Sequence, residues 1–205
     1  MQLYDSRRAP NPRRVRWLMA EKQITDIEVI DVDLFGGQHK RADYLERAGL
    51  PNVPALTMDD GTTITESVAI CRYLESLYPE PNLFGRDPKE TAIIEMWLRR
   101  AEMMLATPLM LAVRHGHPAL AALETQIPEV AASNRATGER ALKLFDRRLA
   151  ESRWIGAERI SIVDGVAFIG MDFARMVKFA VPPELTHLTR WLGAMRERVS
   201  ASAGV

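Results

Sequence analysis

Residues 52–70 run Asn52-Val53-Pro54-Ala55-Leu56-Thr57-Met58-Asp59-Asp60-Gly61-Thr62-Thr63-Ile64-Thr65-Glu66-Ser67-Val68-Ala69-Ile70, placing two extended segments, a tight turn and a helix start in immediate succession. Pro54 to Met58 is extended, and Thr62 to Thr65 supplies the returning strand of a hairpin. Asp59-Asp60-Gly61 is the turn between them, because Asp and Gly accept the left-handed backbone that tight hairpins need. A helix follows from Ser67 to Tyr78. X-Pro bonds tolerate the cis form, and a cis Val53-Pro54 bond would turn the Val53 N–H and C=O outward, free to pair with another extended peptide; the local sequence by itself favours an ordinary trans bond.

Upstream, Leu3-Tyr4 reads as a short strand, and Val15, Leu18 and Met19 recur at helical spacing up to Glu21-Lys22. Ile30, Val32 and Leu34 then alternate with Asp31 and Asp33, the pattern of a strand with one wet face. Strand, helix, strand in this order predicts a crossover with the two strands parallel and the helix over one face. A short helix from Ala42 to Ala48, closed by Gly49, leads into the hairpin. Downstream, Pro79-Glu80-Pro81-Asn82 through Gly85-Arg86-Asp87-Pro88 collects prolines, a glycine and charges and reads as a linker. Beyond it the period stays helical. Ile93, Ile94, Trp97, Leu98, Ala101, Met104 and Leu105 mark one face of a long helix with a kink at Pro108; Ala141, Phe145 and Leu149 mark another. Val163, Val166, Ala167, Gly170, Ala174 and Val177 mark a third, and Leu188, Trp191, Leu192, Met195 and Val199 a last one. The expectation is an α/β domain over 1–79, a linker over 80–88 and an all-helical bundle over 89–205.

The 205 residues are 47% hydrophobic and 26% charged, as in globular chains and unlike disordered ones. Twenty-seven basic residues balance 27 acidic ones, so no global field draws nucleic acid or an anionic membrane. Cys71 is the only cysteine, which excludes an intramolecular disulfide, a CxxC pair and a thiolate-rich zinc site. Met1 leads directly into strand-like Gln2-Leu3-Tyr4 without a basic and apolar signal segment, and no stretch approaches the roughly 20 apolar residues of a membrane span. A cytoplasmic location is the simplest expectation.

Three segments carry candidate chemistry. In Ala9-Pro10-Asn11-Pro12, Pro12 suits the first helical position and Asn11 the N-cap, setting a polar amide where helix donors converge, a natural anion site; simple capping is the alternative. Thr65-Glu66-Ser67 puts two oxygen-bearing side chains and free backbone amides at a helix start, suited to an amino-acid head group or to a plain N-cap. Arg7, Arg8, Arg13, Arg14 and Arg16 crowd the first of these sites. They suit anion steering, an acidic second substrate or a nucleic-acid patch, with a solvated helix face accounting for most of them. His115 and His117 lack a third ligand for a metal, and Cys71 reads as a small buried apolar residue.

The succession of strand, Pro-Asn-Pro helix start, strand, Val-Pro hairpin, Glu-Ser helix start and all-helical half resembles the cytosolic glutathione transferase family across essentially the whole chain. Asn52-Val53-Pro54-Ala55-Leu56 is similar to the cis-proline strand of its thioredoxin-like glutathione-binding domain, and Thr65-Glu66-Ser67-Val68-Ala69-Ile70 to its glutamyl-binding turn. Leu77-Tyr78-Pro79 through Leu83-Phe84-Gly85 is similar to the family linker, and Ser161-Ile162-Val163-Asp164 resembles its N-capping box. Pro10-Asn11 resembles the Thr-Pro-Asn of the bacterial Nu-like class, with Ala9 in place of the threonine.

The resemblance implies that the Val53 backbone, through a cis Pro54, pairs with the cysteine of glutathione, and that Glu66 and Ser67 hold its γ-glutamyl group. It puts Gln38, His39 and Lys40, after Gly36-Gly37, where the glycine carboxylate is bound; a solvated loop is the alternative. The thiol activator it implies is Asn11, whose amide can donate to a thiolate, with Ser6 next and Tyr4 third. No cysteine stands there, so a mixed disulfide with the enzyme at that position is excluded. Met103, Met104, Phe168, Met171 and Phe173 are candidates for a hydrophobic second-substrate pocket, or for core or dimer contacts. The implied protein is a homodimeric glutathione S-transferase that uses glutathione as co-substrate against a hydrophobic electrophile, without a metal, a membrane or a nucleic acid. Glutathione-dependent disulfide or peroxide reduction and a non-catalytic protein-binding module are the alternatives. Two departures stand out: Gly165 replaces the apolar residue that would staple Ile160, implying a weaker helix start, and Arg196-Glu197-Arg198-Val199-Ser200 lacks the family's Arg-Pro-Ser ending.

Overall fold

A computed structural model describes residues 1–203. The chain divides into two compact units, Met1–Pro81 joined by the segment from Val199 onward, and Asn82–Arg198. The division falls inside the stretch read as a linker, and the C-terminal turn groups with the first unit instead of the helical half.

In the first unit, β1 (Gln2–Asp5), α1 (Pro10–Glu21), β2 (Glu28–Asp31), α2 (Ala42–Ala48), β3 (Ala55–Thr57), β4 (Thr63–Thr65) and α3 (Ser67–Leu77) follow in order. The sheet runs β2-β1-β3-β4. β1 and β2 are parallel, as the crossover requires, with Leu3 opposite Val29. β1 pairs antiparallel with β3, Leu3 opposite Leu56, and β3 with β4, Leu56 opposite Ile64. The hairpin turn closes where expected, with the Met58 N–H donating to the Thr62 carbonyl at 2.8 Å and Gly61 at φ 87°, a value that favours glycine. β2 departs from the alternation: it ends at Asp31, before Val32 and Leu34. Asp33 ends it, because its carboxylate accepts the Gly36 N–H at 2.8 Å and its own N–H donates to Gln38 Oε1 at 2.9 Å, folding the chain into a turn.

Leu3 and Leu56 point from the sheet into a core with Val15 and Leu18 of α1 and Ile70 and Leu74 of α3, all six fully buried. Tyr4 points to the other face, where its ring meets that of Tyr44 edge-on at 6.1 Å. One buried charge locks the ends of the two helices. Lys22 Nζ donates to the carbonyls of Tyr78 and Pro81 at 2.7 and 2.8 Å and pairs with Glu75 at 2.7 Å. With three oxygen partners its burial is compensated.

The second unit contains α4 (Pro88–Arg100), α5 (Thr107–Gly116), α6 (Pro128–Glu151), α7 (Ile162–Ala174) and α8 (Thr186–Arg196). Asp87 caps α4 by accepting the Glu90 N–H at 2.9 Å, with Pro88 in the first turn. The kink expected at Pro108 takes the form of a π-helical turn over Ala101–Ala106. Widening the helix there accommodates a proline that has no N–H to return to the preceding turn. The turn lies close against Gly170, where an added Cβ would come within 2.8 Å of the Ala106 Cβ. Ala141, Phe145 and Leu149 of α6 are buried as their spacing requires, as are Val163, Val166, Ala167 and Ala174 of α7. Leu188, Trp191, Leu192 and Met195 of α8 are buried too, but Val199, expected to extend that stripe, is 88% exposed. α8 ends at Arg196, so the helical period that would have carried Val199 inward is broken before it.

Asp164 secures α7. Its Oδ2 accepts the Ser161 N–H and hydroxyl, and its Oδ1 accepts the Ile155 N–H and the Trp191 indole N–H, all at 2.9 Å. These donors replace the missing staple of Ile160. Burial pushes the Asp164 carboxyl up, and the four donors, best satisfied by a carboxylate, pull it back down. Asp164→Asn turns one acceptor oxygen into a donor facing donors; it is expected to destabilise the protein by about 3 kcal/mol, read as a lowered calorimetric midpoint, whereas Ser161→Ala costs about 1 kcal/mol.

Candidate functional site

Strand register brings the candidate segments together. Tyr4 is opposite Ala55, and Ala55 is opposite Thr65. The next residues along each strand are Asp5-Ser6 leaving β1, Pro54-Val53 preceding β3 and Glu66-Ser67 leaving β4, so all three segments meet at one end of the sheet. β2 is parallel to β1 with Asp5 opposite Asp31, so the turn carrying Gln38, His39 and Lys40 also leaves from this end.

The Val53-Pro54 peptide is cis, so the trans bond favoured by local sequence is not the one adopted. Among the described residues no hydrogen bond engages the Val53 amide or carbonyl. Next to it, the Asn52 carbonyl accepts the Tyr44 hydroxyl at 2.5 Å. Burial pushes the Tyr44 phenol up to about 12, which keeps it a donor.

Glu66 precedes α3 at φ 68° and ψ 114°, a left-handed conformation that costs a non-glycine residue on the order of 1–3 kcal/mol. No side chain caps this helix, so the plain N-cap alternative is not realised. The first-turn amides of α3 and the positive end of its dipole are therefore left without a side-chain cap next to Glu66. Ser67 is buried, and its Oγ accepts from Arg14 Nη1 at 3.3 Å. This link from α1 fixes the hydroxyl.

The start of α1 differs from the expectation. The helix begins at Pro10, with Ala9 as its N-cap, which offers no side-chain bond. Pro10 fits the first position for the reason invoked for Pro12, so Asn11 lies inside the first turn instead of capping it. Pro10 and Pro12 both lack an N–H, which leaves Asn11 as the amide donor between them. The Asn11 Oδ1 is buried and has no hydrogen-bond partner among the described residues. Ser6 is half-buried, and its carbonyl accepts the Ala9 N–H at 2.9 Å. Tyr4 is a packing residue: its hydroxyl bonds Gln2 Oε1 at 3.2 Å, and Arg47 lies 4.8 Å over its ring.

The Gln38, His39 and Lys40 trio is split. Gln38 holds the Asp33 turn, and His39 is buried, with Nδ1 unpartnered among the described residues. Burial, then the charge of Lys40, pushes the imidazole below its ordinary value. Lys40 is exposed. The arginine cluster is mostly not a solvated face. Arg13 reaches the Ala201 carbonyl at 2.8 Å, Arg14 reaches Ser67, and Arg16 pairs with Asp5 at 3.2 Å, while Arg7 and Arg8 stay exposed. Guanidinium forks satisfy carbonyls and carboxylates at once, which lets these side chains turn inward. Tyr44, Arg14 and Arg16 tie these segments together through partners distant in sequence, contacts that no local pattern records.

On the helical unit, Met103 and Met104 project from the π-helical turn, exposed at 70% and 42%, whereas Phe168 and Met171 of α7 are buried and Phe173 is half-buried. His115 and His117 each use Nδ1 to accept a backbone N–H, from Ile127 and Ala119 at 3.2 Å. Among the described residues no group of three or more His, Cys, Asp or Glu side chains is placed to hold a metal ion. Cys71 is buried, with Sγ 3.7 Å from the Arg14 carbonyl.

Glu66→Gly is expected to raise the thermal midpoint, gaining about 1 kcal/mol as relieved strain exceeds the cost of the freer unfolded chain; a lowered midpoint would show that the conformation carries no strain. A phenol raised in the folded state contributes fully below the unfolded value near 10 and loses that contribution as pH rises toward about 12. Tyr44→Phe should therefore cost about 1 kcal/mol at neutral pH and flatten the fall in stability between pH 10 and 12 in denaturant titrations.

Comparison with known proteins identifies the family. The family model described as "Glutathione S-transferase, N-terminal domain" matches residues 3–82, and that described as "Glutathione S-transferase, C-terminal domain" matches residues 100–198. The chain is 33% identical over 209 aligned residues to "Glutathione S-transferase 2" of Saccharomyces cerevisiae, covering 98% of this chain and 87% of that protein. Among solved structures it is similar to Gtt2 from Saccharomyces cerevisiae, with a TM-score of 0.92, 32% identity and both chains fully covered. It is equally similar to a glutathione S-transferase domain-containing protein from Marinobacter aquaeolei VT8, with a TM-score of 0.92 and 32% identity over 98% of this chain and 100% of that one.

Proposed function

The chain belongs to the glutathione S-transferase family, and from that premise we propose that it binds glutathione across the sheet end described above and delivers its thiolate to a hydrophobic electrophile. One observation carries the reading: the register sets the unpaired backbone of Val53, the strained Glu66 with Ser67, and the Ser6–Asn11 loop side by side. An extended tripeptide fits three such features. The Val53 N–H and C=O pair with its cysteinyl backbone as a short antiparallel strand. The Glu66 carboxylate takes the γ-glutamyl ammonium, and the Ser67 hydroxyl with the first-turn amides of α3 takes the carboxylate of the same group. Lys40, the exposed cation of its trio, meets the glycine carboxylate, with His39 and Gln38 supporting the turn from inside.

With the peptide anchored this way, its sulfur comes to the loop between β1 and α1. The Asn11 side-chain N–H and backbone N–H donate to it, assisted by Ser6 and the helix dipole. Donors and positive potential favour the anion over the thiol, lowering its pKa from about 8.5. The thiol proton leaves to solvent, the sulfur attacks carbon, a C–S bond forms and the leaving group departs with its electron pair. The exposed Met103 and Met104 and the α7 residues Phe168, Met171 and Phe173 are the proposed contacts for the electrophile; flexible thioethers adapt to varied apolar shapes. We place the working enzyme in the cytoplasm as a homodimer.

Calorimetric titration with glutathione, paired with thiolate absorbance against pH in the bound state, tests the assignment. Binding with a bound-thiol pKa below the free value is expected. Ser67→Ala should weaken affinity about tenfold, the loss of one hydrogen bond to a charged group. Asn11→Ala should leave affinity within a few-fold and raise the bound-thiol pKa; an unchanged titration would transfer the role to Ser6 and the backbone.

A further inference from the structure

Arg16 lies on α1 beneath the loop that joins β1 to that helix, and it holds the loop from both sides. Its Nε is 3.2 Å from Asp5 Oδ2, a contact of opposite charges without hydrogen-bond alignment, with the two side chains only 14% and 3% exposed. Its Nη2 donates to the Arg7 carbonyl at 2.8 Å. Asp5 is the last residue of β1 and Arg7 stands within the loop, so one rigid guanidinium fixes where the strand ends and how the chain turns toward Pro10. Within the loop the Ala9 N–H also donates to the Ser6 carbonyl at 2.9 Å. Ala9 caps α1 without a side-chain bond, and the Arg7 N–H reaches Asp31 Oδ1 only at 3.4 Å. The other Asp5 oxygen, Oδ1, is buried with no hydrogen-bond partner among the described residues, so Arg16 is the compensating charge for this carboxylate.

Burial pushes the Asp5 carboxyl up, Arg16 and the Ser6 N–H pull it down, and Asp31 pushes it up again. Burial likewise lowers Arg16, with Asp5 and Asp31 holding it up against Arg13 and Arg7. The attraction between the two groups opposes the cost of burying each.

We infer that Arg16, paired with Asp5, is the positioning residue of the thiol-activating loop, setting the places of Ser6 and Asn11 and through them the ionisation of the bound thiol. The inference rests on the reading of the site given above. Arg16 does not touch the sulfur in this account. Without it, Asp5 keeps only the Ser6 N–H against the cost of its burial and the Arg7 carbonyl loses the Arg16 donor, so the loop relaxes away from its present course. Donors displaced by about an ångström lose most of their hold on a developing charge.

Arg16→Met, Arg16→Lys and the double variant Asp5→Asn with Arg16→Met test this. Each is titrated with glutathione by calorimetry, followed by thiolate absorbance against pH and by turnover of chlorodinitrobenzene. Arg16→Met is expected to keep glutathione affinity within about threefold, because Val53, Glu66 and Ser67 are untouched. Its bound-thiol pKa should rise by about one unit, with kcat near neutral pH about tenfold lower, KM held and activity recovered at higher pH. Arg16→Lys should fall between, keeping the charge for Asp5 but not the fork. The double variant removes a pair with no net charge and leaves no stranded carboxylate. It should regain thermal stability and keep the raised thiol pKa, which a merely structural role would not produce; it also serves if Arg16→Met alone fails to fold. A depressed thiol pKa in wild type that persists in the folded variants overturns the inference alone. A wild-type protein that leaves the bound thiol at its free value overturns the site reading and the inference together.

Discussion

The antiparallel pairing of β3 with β1 on one side and β4 on the other is the constraint from which the site follows. β3 has only three residues, yet Ala55 and Leu56 within it are fully buried, and Leu56 faces the same core as Leu3. A slip of one residue would turn Leu56 outward and Thr57 inward, so the apolar pattern specifies the register strongly. Once that register is fixed, Pro54, Glu66 and Ser6 have no freedom to be elsewhere than at one end of the sheet. The hydrophobic core of a small domain thereby sets the spacing of polar groups that belong to three separate stretches of chain.

The polar groups then need support that the core does not supply. Two arginines of α1 provide it: Arg14 orients the Ser67 hydroxyl, and Arg16 binds Asp5 and the Arg7 carbonyl. Tyr44 does the same for the segment before Val53 through the Asn52 carbonyl. The strain at Glu66 persists because the chain on either side is held, by β4 before it and by α3 after it. The candidate site is thus built where strand ends and helix starts meet, on elements tied to the core.

Periodicity and turn chemistry made most of the fold legible. The crossover, the hairpin at Asp59-Asp60-Gly61, the apolar face of α6, that of α7 as far as Ala174 and the capping box at Ser161 are local patterns, and the structure bears them out; Val177 lies past the end of α7 and is half-buried. The failures have local causes too. Asp33 ended β2 early by accepting a turn N–H, and Pro10 competed with Pro12 for the first position of α1. Val199 lay past the true end of α8. What the sequence concealed was the role of charge. Five arginines in ten residues look like a wet surface, and only their partners Asp5, Ser67 and Ala201, far apart along the chain, show that three of them turn inward.

The central claim is that glutathione lies along the sheet end where β1, β3 and β4 finish or begin. Amide chemical-shift mapping of the full chain during a glutathione titration tests it most directly. The account predicts that the amides of Asn11, Val53, Glu66 and Ser67 shift together with one saturation curve. Saturable shifts confined to the helices of Asn82–Arg198, with those four amides unmoved, would contradict it.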